Sequence, residues 1–158
     1  MGVLERQWRR SPWPYDSRAS TKRGMLKVEL FVNGTLMRGD VLHQNLDGAR
    51  FVSEARTAPR YRLYSIGDVH PGMIDAQTGG VSVDGEIYEL ELEHLERIIA
   101  GEPPGLGVAV VELDGGERRL GIFWVAAELP ETAIDISEYG GWRAYRAQSP
   151  ATSGSVMK

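Results

Sequence analysis

The sequence predicts an α+β fold, a small mixed or antiparallel β-barrel with a few helices at its ends. Two observations carry this. About seven short apolar runs of strand character follow one another, mostly separated by tight glycine-containing turns. Against them stands a single segment of convincing helical spacing, Glu91 to Ala100. The regular strand–helix alternation of a doubly wound sheet is missing, and no internal repeat is visible.

The first strand runs from Leu26 to Val32, where alternation gives way to a fully apolar end that enters a core. Asn33-Gly34 breaks it. Asp40 is placed to cap a short helix, Val41 to Leu46, which Asp47-Gly48 stops. Phe51 to Ala58 reads as a second strand ended by Pro59, and Tyr61 to Ile66 as a third closed by Gly67-Asp68. His70-Pro71-Gly72 reads as a turn, because proline presets one dihedral and glycine frees the next. Val81 to Leu90 reads as a strand pair bent at Asp84-Gly85. Leu92, Leu95 and Ile99 give the helix its apolar face, Gly101 ends it, and Pro103-Pro104 prevents its resumption. Leu106 to Leu113 and Arg118 to Val125 form a hairpin around Asp114-Gly115-Gly116. Asp135 to Arg146 reads as a helical turn, a glycine break and a short helix.

The 158 residues fit one domain, with no cysteine and three histidines. Disulfides, thiolate metal sites and cysteine nucleophiles are excluded, and no metal or cofactor is expected. The net charge of −4 is uneven: residues 1–24 hold six basic and two acidic side chains, the remainder 12 and 20. An acidic body disfavours nucleic acid as a partner. No apolar run is long enough for a membrane helix or an export signal, so the expected location is the cytoplasm. The expected organisation is a disordered basic head over 1–24, a folded domain over 25–147 and a flexible tail over 148–158.

Four candidates for chemistry stand out. The loop Asn33-Gly34-Thr35-Leu36 follows a buried strand, and exposed amides there would bind an anion; otherwise it is only a turn. Glu102, between a helix stop and two prolines, is either an acid of raised pKa suited to proton transfer or a solvated loop residue. His70 and Tyr64 are polar candidates whose alternative is a surface or capping role. Trp142 and Arg143 would line and clamp a carboxylate-bearing ligand, or else pack the core and face solvent. Nucleophile-elbow, phosphate-loop, dinucleotide and zinc-protease motifs are all missing.

The stretch Leu30-Phe-Val-Asn-Gly-Thr-Leu-Met-Arg-Gly39 resembles the Tyr-Gly-Thr-Leu loop of the gamma-glutamylcyclotransferase-like superfamily. Gly85-Glu-Ile-Tyr88, a helix and then Glu102 resemble that family's Gly-Glu-Val-Tyr strand, helix and catalytic glutamate. A second, closer resemblance is to the allophanate hydrolase C-terminal domain. It rests on Ala55-Arg-Thr-Ala-Pro-Arg-Tyr-Arg-Leu-Tyr64, Pro71-Gly72, Pro103-Pro-Gly-Leu-Gly107 and Asp135-Ile-Ser-Glu-Tyr-Gly-Gly-Trp-Arg-Ala-Tyr145. The resemblance implies a barrel with a pocket at one end, Glu102 as acid/base and Asn33 to Leu36 as the substrate loop. The cyclotransferase loop tyrosine is Asn33 here, and allophanate hydrolase domains are usually apolar where this chain has Glu102. No Ser-Ser-Lys amidase signature is present, so the expectation is a stand-alone domain, with a second copy or a separate amidase as its macromolecular partner. The function expected is cofactor-independent catalysis on a small carboxylate-bearing amide or carbamate. The alternative is a non-catalytic ligand-binding or assembly domain.

Overall fold

The structure is a computed structural model that describes residues 26–148. Eight strands and two helices follow in the order β1 (Lys27–Val32), β2 (Arg50–Arg56), β3 (Tyr61–Ile66), β4 (His70–Asp75), β5 (Asp84–Glu91), α1 (Leu92–Gly101), β6 (Leu106–Glu112), β7 (Arg118–Trp124), β8 (Ala133–Asp135) and α2 (Trp142–Gln148). Short 3₁₀ turns occupy His43–Leu46 and Ser137–Tyr139. The expected disordered head lies outside the described residues. So does the expected tail, except that Gln148 is the last residue of α2.

The strands form a five-stranded sheet, β2-β5-β1-β7-β6, and a three-stranded sheet, β4-β3-β8. All pairings are antiparallel except β1 with β7. The α+β class and mixed sheet follow the sequence reading; closure into a barrel does not occur. The edges β2 and β6 meet at one end only, through a bridge between Thr57 and Leu113. Pro59, with no N–H to donate, then takes the chain off into β3 instead of extending that ladder.

Three further expectations change. The helix over Val41 to Leu46 is a single 3₁₀ turn, although Asp40 does accept a hydrogen bond from the Val41 amide at 2.7 Å. His70-Pro71-Gly72 is strand, not turn. The turn lies before it, at Gly67 and Asp68, both with left-handed backbone (φ 61° and 58°), in the three-residue connection between the paired Ile66 and His70. Proline is tolerated in β4 because that strand is a sheet edge. Finally, Asp84-Gly85 is no bend but the start of the single strand β5. A β-carbon on Gly85 would lie 2.5 Å from the Phe31 ring, so glycine here serves close packing.

The core lies between the sheets and under the helices. Leu30, Phe31 and Val32 of β1, Leu63 of β3 and Val111 of β6 are fully buried. Leu95 and Ile98 of α1 join them, whereas Ile99, expected on the apolar face, is 39% exposed. Trp142 is 2% exposed, packs on Tyr145, and with Arg143 lines a separate hollow beside the start of β5.

Candidate functional site

Strand directions decide which loops meet. β1 and β7 run parallel, so both end at the same edge of the sheet. β6 runs antiparallel to β7, with Leu106 opposite Trp124, so β6 begins at that edge. The loop after β1 and the connection from α1 into β6 are thereby brought together. They face one cleft, lined by Val32, Asn33, Gly34, Thr35, Leu36, His70, Pro71, Glu102, Leu106 and Ile122. About 260 Å³ of empty space lies between these walls, partly open to solvent. Only about 20 Å³ of it is clear of the walls by a water radius, room for about one water, so a larger ligand extends through the open side.

The β1 loop is held by its carbonyls. Gly34 O accepts from the Met37 amide at 3.0 Å, Thr35 O from the Leu42 amide at 3.0 Å, and Leu36 O from His43 Nδ1 at 2.9 Å. The amides of Gly34, Thr35 and Leu36 have no acceptor among the described residues. All three residues are buried. Buried N–H groups are normally paired, so three successive free ones at a cleft form a ready pocket for a carboxylate or an oxyanion. Asn33 donates from Nδ2 to Met73 Sδ at 3.3 Å, which anchors the loop's start to β4.

Glu102 enters from the other side. It caps the C-terminus of α1, with its amide on Ile99 O at 3.3 Å. The turn behind it is fixed by Gly105, whose left-handed backbone (φ 95°) lets it lie flat against Trp124. The carboxyl faces the aliphatic walls, and desolvation pushes its pKa up to about 7. Both the acid and the carboxylate are therefore populated near neutral pH, as proton transfer in both directions requires.

His70 shares the cleft. Tyr64, Trp142 and Arg143 do not line it. Tyr64 sits mid-strand in β3, paired with Gly72 and Asp135. Arg143 Nη2 instead bonds Glu86 Oε2 at 3.0 Å and the carbonyl of Arg38. Glu86 is the buried acid that sequence reasoning passed over. It is fully buried and accepts from the Arg38 amide (2.9 Å), Arg38 Nε (2.9 Å), Tyr88 O–H (3.0 Å) and Arg143. Burial alone would raise its pKa, but these four donors outweigh it and hold the carboxyl below its usual value. The cleft walls Pro71, Leu106 and Ile122 were also missed, since nothing in their spacing marks them. No cluster of potential metal ligands occurs among the described residues, and no described helix is long and apolar enough to cross a membrane.

The fold is gamma-glutamylcyclotransferase-like. Within that superfamily the chain belongs to the allophanate hydrolase C-terminal domain family, whose pattern matches residues 28–147. Urea amidolyase of Saccharomyces cerevisiae is 30% identical over 132 residues, which cover 75% of this chain and 7% of that protein. The chain thus spans only a small part of the curated amidolyases it matches. A Vibrio cholerae protein provisionally named a gamma-glutamylcyclotransferase is 37% identical over 69 residues, 44% of this chain and 56% of its own. The crystal structure of a uropathogenic E. coli-specific protein superposes with a TM-score of 0.74 at 42% identity, over 78% of this chain and 98% of that one.

Proposed function

We propose that the protein is a cofactor-independent enzyme acting on a small carboxylate-bearing amide or carbamate, with Glu102 as acid/base. The convergence of a carboxyl of pKa about 7 with three unpaired buried amides in one narrow cleft carries this reading. The amides of Gly34, Thr35 and Leu36 hold a substrate carboxylate or the negative charge that develops on its carbonyl oxygen. Ionised Glu102 takes a proton from the attacking nitrogen or water. The resulting acid returns that proton to the departing nitrogen, which leaves as a neutral amine or ammonia. The apolar walls keep the carboxyl desolvated and poised between its two forms.

The test is to incubate the purified protein separately with gamma-glutamyl amines, allophanate and N-carboxylated ureas, following ammonia, carbon dioxide and 5-oxoproline. Release of any product by the wild type, and its loss in Glu102→Gln, is the expected result. Equal release by both proteins would overturn the assignment of Glu102.

A second reading, a non-catalytic ligand-binding or assembly module, is favoured by one observation: the amidolyases contain this domain as a small fraction of a much longer chain. In that case small carboxylates would bind at the cleft and none of the three substrate classes would turn over.

A further inference from the structure

His70 is 7% exposed, lies in β4 immediately before Pro71, and is one of the residues lining the cleft. Its Nδ1 is 3.0 Å from the Pro71 carbonyl oxygen. A carbonyl can only accept, so Nδ1 carries the proton, and in the neutral ring Nε2 is then a bare acceptor. No buried side-chain nitrogen or oxygen among the described residues lacks a partner, so Nε2 is not sealed inside the wall. The same cleft is lined by Gly34, Thr35 and Leu36, whose free amides are all donors.

We propose that His70 Nε2 is the group by which the cleft reads an N–H on its ligand. The site then selects small molecules in which a carboxylate and an N–H lie side by side. This rests on the reading that the loop amides hold a carboxylate. A mostly buried acceptor discriminates strongly, because a ligand that lacks the donor leaves the ring nitrogen desolvated and unpaired. The tautomer is fixed before any ligand arrives, by the residue next in sequence. β4 therefore presets the polarity of the site as well as its width.

Oxamate and pyruvate test this, since they differ only in an amide NH₂ against a methyl group. Their binding to the full chain is measured by NMR titration for wild type and His70→Phe. Wild type should bind oxamate about tenfold more tightly, the equivalent of one hydrogen bond, and the variant should bind both alike. Equal binding by the wild type, or a preference that survives in His70→Phe, would overturn the role of His70 and leave the carboxylate reading standing. Failure of both probes to bind would overturn the carboxylate reading and this inference with it. Long-range ¹⁵N–¹H spectra of the wild type decide the tautomer even if the variant does not fold: protonated Nδ1 with bare Nε2 is expected, and the reverse would sink the proposal.

Discussion

Pro71 rests on Gly34: a β-carbon built there would lie 2.5 Å from the proline Cγ and 2.6 Å from its Cδ. This contact, between the loop after β1 and an edge strand of the other sheet, sets the width of the cleft. Gly34→Ala therefore forces the loop and β4 apart, because neither a ring nor a backbone yields as a flexible side chain would. We expect a loss of roughly 1–3 kcal/mol by chemical denaturation, with weakened binding of small carboxylates. Pro71→Ala removes the two clashing ring atoms, so the double variant should recover much of the loss. Additive losses in that cycle would show that the contact does not govern the loop.

Legibility in the sequence followed the range of the interaction. The helical face of Leu95 and Ile98, the hairpin at Asp114-Gly115-Gly116 and the strand entering at Leu30 are set by neighbours in sequence, and all are present. Gly85 and Pro71 misled for the opposite reason. Each was read as local turn chemistry, whereas Gly85 serves contact with Phe31 and Pro71 occupies a sheet edge. The pairing of Glu102 with the 33–36 loop was suggested by family resemblance. Its geometric cause is the parallel β1–β7 register, which spacing alone does not encode. Trp142 and Arg143 were assigned to the site because aromatic and guanidinium groups suit ligands. Nothing local reveals that a buried Glu86, 57 positions earlier, claims the arginine.

The carboxyl of Glu102 should set a pH dependence of stability. Its folded pKa, about 7, lies above the usual 4.5. Relative to the unfolded chain, folding then favours the protonated form. The associated stability is fully present below about pH 4.5 and is lost as pH rises towards and through 7. At 1.36 kcal/mol per unit the loss is at most about 3 kcal/mol, and solvent at the cleft mouth reduces it. Glu102→Gln removes this dependence, so the variant should be the more stable protein at pH 8 and nearly equal to wild type at pH 4. In turnover the same variant should be slower by about 10²–10⁴-fold. A stability difference that does not grow with pH would contradict the desolvated carboxyl.

Glu86 predicts the opposite limb. Its carboxyl is held below the usual 4.5 by Arg38, Arg143 and Tyr88, against the cost of burial. Its contribution is present above about pH 4.5 and is lost as pH falls through the lower folded value. Glu86→Gln places an NH₂ among donors and should flatten acid unfolding between pH 5 and 3. Glu86→Ala leaves the Arg38 amide and the Tyr88 hydroxyl without their acceptor beside a void, while the half-exposed guanidinium groups turn to solvent, for a loss of about 1–3 kcal/mol. Denaturation midpoints across that pH range check both.

Arg143 separates stability from ligand binding. Its guanidinium bridges Glu86 and the Arg38 carbonyl, and it lies outside the cleft that contains Glu102. Arg143→Ala should lower stability by about 1–2 kcal/mol, below the full value of a charged hydrogen bond because the side chain is half-exposed. The loop amides keep their place through Leu42 and His43, so affinity for oxamate and any turnover should match the wild type. A selective loss of carboxylate binding with stability intact would move Arg143 back into the site and require α2 to close over it.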